Sequence, residues 1–287
     1  MKLSYYPGCS LQGTALDYDQ SIREVCKALG VELVDIADWN CCGASSAHMT
    51  NHEVGNRLPM RNLLLNMKEK LDILVPCAAC YQRLRAADLA LRENPEHWDL
   101  DSYSPDFRII HISTFLAEPA ILKRIQEQMK QNLDKLPIAC YYGCLSLRHP
   151  KVTGAKNYEL PTTLENIVSA LGATPVRWSH RTECCSGTLT MARPDIARKL
   201  VDDINRAAIR GGATAFVVDC PMCQANLESR QLDNSPEQSL PAFFATELVA
   251  AALSGEYPQK QKKVHLVNPG VLENMFTTQE TAGEERT

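Results

Sequence analysis

The chain has 287 residues, with 30 Lys and Arg against 34 Asp and Glu, a net charge of −4. That balance leaves no basic surplus to neutralise phosphates and excludes general nucleic-acid binding, while 45% hydrophobic and 22% charged residues describe a globular protein with a sizeable core. No apolar run approaches the roughly 18 residues of a membrane span, and the opening MKLSYYPGCS lacks the apolar centre of a signal peptide, so a soluble cytoplasmic protein is expected.

Taken in chain order, a short apolar strand over 3–6 ends at the Gly8-Cys9 turn. A helix over 16–29 stops at Gly30, in keeping with a glycine C-cap. A second strand over 32–36 leads into Cys41-Cys42, a longer helix covers 53–69, and the strand 73–75 feeds directly into Cys77-x-x-Cys80. Helical text then resumes. The same order returns in the second half: strand 137–142, the turn at Gly143-Cys144, helix 163–171 ending at Gly172, strand 174–178, Cys184-Cys185, helix 194–210, strand 216–218 and Cys220-x-x-Cys223. The stretch 240–254 reads as one further amphipathic helix, and the polar, charged tail after Gly270 as a frayed end. Strands alternating with helices predict an α/β fold with a mainly parallel sheet in each half. Two similar tandem domains follow, 1–132 and 133–287, the second carrying the C-terminal helix and tail.

Twelve cysteines are the informative count. A chain of this length with no export signal needs no disulfide framework, which leaves metal binding or redox chemistry as the main reasons for so many thiols. The CC pair and the C-x-x-C each recur at an offset of 143 residues. Each half therefore supplies one cysteine, then a vicinal pair, then C-x-x-C, every group just after a predicted strand, where open α/β sheets carry their ligands. Structural zinc takes four tetrahedral ligands; five thiols are one too many and adjacent cysteines are awkward around one ion. Iron–sulfur clusters offer several irons to vicinal thiolates and are the favoured reading, ahead of zinc and of metal-free thiol–disulfide exchange. Cys26 and Cys140 fall outside the repeat and read as core residues, as does Met222.

With those motifs in view, the sequence resembles the CCG-domain family, most closely the B-type subunit of heterodisulfide reductases in their bacterial branch. The resemblance spans about residues 1–225 and rests on Tyr5-Tyr6-Pro7-Gly8-Cys9-Ser10-Leu11, Asp38-Trp39-Asn40-Cys41-Cys42-Gly43-Ala44 and Pro76-Cys77-Ala78-Ala79-Cys80. It implies two noncubane 4Fe-4S clusters, one on Cys9, Cys41, Cys42, Cys77 and Cys80, the other on Cys144, Cys184, Cys185, Cys220 and Cys223. It also implies that the clusters face each other across a cavity between the domains, where a substrate disulfide is split. One departure stands out: the second pair reads Cys184-Cys185-Ser186-Gly187 rather than CCG.

Expected partners are a ferredoxin-like iron–sulfur subunit and a flavoprotein of the same complex, since the chain has no cubane-type ferredoxin motif of its own, together with a small-molecule or protein-bound disulfide/thiol substrate. Neither nucleic acid nor a membrane span is expected. The bacterial wording points to sulfur oxidation or to flavin-linked reduction of a small disulfide. The competing reading is an electron-transfer component of a lactate-, glycolate-, glycerol-3-phosphate- or succinate-type oxidoreductase. Sequence neighbourhood alone nominates His48, Arg83, Arg85, Arg148, His149, His180 and Arg181 as groups beside the clusters. Tyr5, Tyr6, Tyr141 and Tyr142 are expected in the core.

Overall fold

The computed structural model describes residues 1–44 and 47–277. In the first half β1 (Lys2–Tyr5) leads to α1 (Leu16–Ala28), β2 (Glu32–Asp35), α2 (His52–Asn66), β3 (Ile73–Val75), α3 (Ala78–Glu93), β4 (Ile109–His111), α4 (Ile112–Leu116) and α5 (Pro119–Gln128). The second half repeats the order as β5 (Pro137–Cys140), α6 (Thr163–Ala170), β6 (Thr174–Pro175), α7 (Pro194–Arg210), β7 (Ala215–Val218), α8 (Pro221–Ser229), β8 (Ala242–Phe244), α9 (Ala245–Ser254) and α10 (Gly270–Thr277).

Two four-stranded parallel sheets result, ordered β2-β1-β3-β4 and β6-β5-β7-β8. Strands β3 and β7 are buried along their whole length, as Ile-Leu-Val and Ala-Phe-Val-Val text demands in a sheet covered on both faces. Helix α1 buries Tyr18, Ile22, Val25 and Cys26, the one-sided spacing of an amphipathic helix.

The halves are packed into one another. Helix α1 lies against α9 of the second half, and α6 of the second half lies against α4 and α5 of the first. Tyr18 stacks on Phe244 with ring centroids 3.8 Å apart and planes 5° from parallel, and the buried Ser21 and Thr246 hydroxyls meet at 2.7 Å. One hydrophobic cluster accordingly runs through residues of both halves, and a second lies under the first sheet. Leu145 and Met222 pack against both clusters.

Two expectations need correction, and one region had none. Stretch 240–254 is not one helix: Ala242–Phe244 is the edge strand β8, and the helix begins at Ala245. The residues after Gly270 are not frayed as far as Thr277, because they form α10 with Leu272 fully buried; the rest of that tail, 278–287, lies outside the described residues. Strand β4 and helices α4 and α5 fill a region for which the sequence offered no assignment. Among the described residues no helix is long and apolar enough to cross a membrane.

Candidate iron–sulfur site

All ten repeated cysteines sit at the C-terminal edges of the two sheets, on loops or on the first turns of the helices that follow. Cys77 and Cys220 occupy the N-cap positions of α3 and α8, so Cys80 and Cys223 fall in the first helical turn, where free backbone N–H groups and the helix dipole favour thiolates. The chain reaches the sites through left-handed glycines, Gly8 at φ 71° and Gly143 at φ 63°. A side chain at either would strike sulfur, because an added Cβ would lie 2.9 Å from Cys80 Sγ and 3.0 Å from Cys223 Sγ.

Within the first set the Cys42 and Cys80 sulfurs are 3.3 Å apart. Cys41 accepts the Gly43 N–H at 3.4 Å, and the Cys42 thiol and burial raise it above the ordinary thiol range. In the second set Cys185 meets Cys223 at 3.5 Å and Cys144 meets Cys184 at 3.8 Å, while Cys184 accepts the Ser186 N–H at 3.3 Å. The two sets come close: the Tyr18 hydroxyl lies 3.2 Å from Pro76 O and 3.4 Å from Asp219 O, the residues just before the buried Cys77 and Cys220, one from each half. Cys9 and Cys184 are exposed at the outer ends of this chain of sulfurs, and Cys41 and Cys144 half-buried.

The electrostatics favour ionised sulfur at fixed places. The neighbouring Cys41 thiol, then the Cys80 thiol, hold Cys42 down at about 3. The Cys144 thiol, then the Ser186 N–H, hold Cys184 down at about 6. Cys220 is held well below the ordinary thiol range by the Cys223 and Cys77 thiols and by the N–H groups of Cys223 and Met222. Cys26 and Cys140 are buried apart from both sets, and burial pushes Cys26 up to about 12; neither is suited to bind a cation.

Do these residues fit an iron–sulfur group? The donors are all thiols, in two matched sets. At each set a buried polar atom lacks a partner among the described residues, Arg83 Nε at the first and Ser186 Oγ at the second. Buried groups left in this way call for an acceptor or donor, and cluster sulfur is one. Among the described residues no three His, Cys, Asp or Glu side chains are grouped to hold a metal ion; the sulfurs are instead strung out in neighbouring pairs. The residues fit.

A cavity of about 160 Å³ opens beside the second set, lined by Cys144, Cys184, Cys185, Cys220 and Cys223 and closed by Ala78 from the first half. Tyr142 and Met222 complete its wall. A larger cavity of about 280 Å³ lies behind Tyr142 and reaches a polar group that sequence reasoning missed: His111, Ser113 and Asp219. His111 Nδ1 is 2.8 Å from Ser113 Oγ, which donates to Asp219 Oδ2 at 2.8 Å. Burial pushes Asp219 up to about 8 and His111 down to about 4. The available signal was position, since His111 ends a strand and Asp219 directly precedes C-x-x-C.

The nominated neighbours divide. The Arg83 charge lowers Cys42 and the Arg148 charge lowers Cys184. His48 bonds the Gly43 carbonyl at 3.1 Å, on the loop after the first pair. Arg85 instead donates across the halves to Val152 O, Arg181 pairs with Glu165 at 3.2 Å, His180 meets Ser179 at 2.7 Å, and His149 is exposed at the start of a short helix. The four tyrosines are core, as expected, though Tyr6 and Tyr141 rest against the sulfurs of the two sets.

Comparison with known proteins agrees with the duplicated fold. A family model described as "Cysteine-rich domain", CCG, matches residues 3–85 and again 138–228. The chain is 29% identical over 263 residues to the 8-methylmenaquinol:fumarate reductase membrane anchor subunit of Wolinella succinogenes, covering 88% of this chain and 92% of that one. It is 26% identical over 278 residues to a protein of Archaeoglobus profundus named as like the B-type subunit of heterodisulfide reductase, covering 91% and 93%. A crystal structure of a hypothetical protein from Helicobacter pylori superposes with a TM-score of 0.67 at 12% identity. That match covers 93% of this chain and 52% of the other, so the chain spans about half of it.

Proposed function

Because the chain belongs to the cysteine-rich (CCG) domain family and carries the domain twice, we propose that it is the B-type iron–sulfur component of a heterodisulfide reductase-like complex. In this reading Cys9, Cys41, Cys42, Cys77 and Cys80 hold one noncubane 4Fe-4S cluster, and Cys144, Cys184, Cys185, Cys220 and Cys223 hold another. The observation that carries it is the Tyr18 hydroxyl shared by the Pro76 and Asp219 carbonyls, next to Cys77 and Cys220, which leaves the two sets adjacent. Such groups supply one-electron steps when bound, and a disulfide needs two electrons, so two neighbouring centres match that stoichiometry.

The remaining work falls to this chain's own residues. The first turns of α3 and α8 hold Cys77 and Cys220 at fixed positions. Leu145 and Met222 keep water from the space between the sets, and a dry surround strengthens every charge interaction there. The cavity beside Cys144 and Cys184 admits a small sulfur compound or a sulfur-bearing side arm to the exposed end of the second set. Electrons reach the site from a ferredoxin-like subunit and a flavoprotein of the same complex. Twelve free thiols suit a reducing, cytoplasmic setting.

One observation favours a second reading: the relative from Wolinella is named for quinol:fumarate reduction, not for a disulfide. There the same two centres would pass electrons between subunits without cleaving sulfur bonds. The two readings separate in one experiment. Anaerobic, reconstituted protein reduced by a chemical donor is given 2-hydroxyethyl disulfide, and free thiol is followed; the menaquinone analogue menadione is offered in parallel. Thiol release that needs Cys184 and Cys144 supports the disulfide reading. Menadione reduction with no thiol release replaces it with the second.

A further inference from the structure

The duplication gives each residue near one set a counterpart near the other, and one exchange changes charge. Arg83 follows the first C-x-x-C by three residues; its counterpart at the repeat offset of 143 is Asn226. Arg83 is half-buried and anchored at Nη2 to the Gly55 carbonyl and to Asn56 Oδ1. Its Nε–H has no acceptor among the described residues, and the Gly55 carbonyl it holds lies 3.7 Å from where a Cβ on Gly43 would stand, next to Cys42. Asn226, by contrast, is a neutral amide that donates to the Cys185 carbonyl and accepts from the Thr190 hydroxyl.

Other charges do not erase the difference. Cys184 has Arg148 and Glu183 as neighbours, opposite in sign and both exposed to screening water. Arg230 donates to Asn226 Oδ1 at 3.5 Å and to Thr190 O at 2.9 Å, so its charge is spent on acceptors of the second half. The buried Asp219 next to Cys220 is neutral or negative, so either protonation state leaves the sign of the difference unchanged.

We propose that the two centres are electrically unequal by construction, with Arg83 presenting a half-buried cation and a free N–H to the first where the second has the neutral Asn226, its own cations being exposed or bonded to that amide, so that an electron shared between them resides on the first. This deepens the reading given above and rests on it. A positive charge in a poorly screened site stabilises the form that has gained an electron, and hydrogen bonds to cluster sulfur act in the same direction. Arg83 is thus a tuning residue. It touches no substrate, and its effect is on where electrons settle.

The test is a potentiometric titration of the reconstituted chain followed by paramagnetic resonance, with Cys41→Ala and Cys184→Ala assigning each signal to its centre. The wild-type protein should show the first centre reduced at the higher potential. Arg83→Gln should lower that potential by at least a tenfold shift in the one-electron equilibrium, about 59 mV, and leave the second centre unmoved. Arg83→Lys, which keeps the charge, should retain most of the difference and controls for lost anchoring of Gly55. Equal potentials in the wild type, or an Arg83→Gln shift that is absent or common to both centres, would overturn the proposal. Protein that takes up no iron and sulfide would instead remove the functional reading beneath it, and metal analysis before the titration distinguishes the two failures.

Discussion

The two halves keep the same backbone around their cysteines and change what surrounds them. Both reach the sheet edge through a left-handed glycine pressed on the last sulfur, and both cap a helix with the first cysteine of C-x-x-C. Where the vicinal pair turns, Gly43 at φ 76° in the first half is matched by Ser186 at φ 63° in the second. A left-handed residue with a side chain is uncommon, so the turn has been held while a buried hydroxyl was added. The sheet edges differ as well: β4 ends in His111 and β8 in Phe244. Phe244 stacks on Tyr18, whereas His111 bonds Ser113 and through it Asp219. Geometry that holds sulfur is shared by the halves, and the polar groups that set its charge are not.

That comparison can be broken at its strongest point first. Cys41→Ala and Cys184→Ala should each halve the iron and acid-labile sulfide of the anaerobic protein, with loss of different spectroscopic signals; loss of everything in either variant would mean one shared site. Next in size is the second half's own anchor. His265 lies between Glu228 and Glu247 at 2.6 and 2.9 Å, all three buried. Although burial alone would lower it, Glu247 and Glu228 together raise His265 to about 10. His265→Gln should therefore cost about 3–5 kcal/mol, as expected when one partner of a buried ion pair is removed, measured by denaturant titration. Its pH signature is specific. A folded pKa above the unfolded 6.5 gives a contribution complete below pH 6.5 and lost as pH rises through about 10, and the first half has no counterpart among the described residues.

Smaller effects sharpen the likeness. Gly8→Ala and Gly143→Ala should each destabilise by about 1–3 kcal/mol through left-handed strain and lower metal content on their own side only; equal loss at both centres from one variant would contradict the paired geometry. Smallest is the cross-half contact of Ser21 and Thr246. Single Ser21→Ala or Thr246→Val changes should cost about 1–3 kcal/mol, because each leaves a buried hydroxyl or its site unpaired, while the double change should cost less than their sum. Additive values in that cycle would show the halves to be uncoupled there.

Much of this molecule is legible in its sequence because duplication prints it twice. The repeated cysteines, the glycine stops at Gly30 and Gly172, and the buried strand before each C-x-x-C all mark local structure, and local signals survive without knowledge of the fold. Strands β4 and β8 were not legible for a local reason: each is three residues long and enters its helix without a turn residue, so the apolar text reads as one run. The Ser113–Asp219 bond spans 106 residues, and no periodicity anticipates such a pairing. Sequence neighbourhood was a poor guide to the surroundings of sulfur. Arg83 reaches Gly55 and Asn56 on the helix after the first vicinal pair, while Arg85, two residues on, donates to Val152 on the other half.

The central proposal is that ten thiolates hold two redox centres next to each other, with Cys77 and Cys220 on the facing sides. Paramagnetic resonance on anaerobic, iron- and sulfide-replete protein tests it directly. Two iron–sulfur signals should appear, about eight irons in all if both centres are four-iron clusters, with spin–spin broadening of each that disappears in Cys41→Ala and in Cys184→Ala. Two signals with no mutual broadening, or a single zinc without acid-labile sulfide, would contradict it.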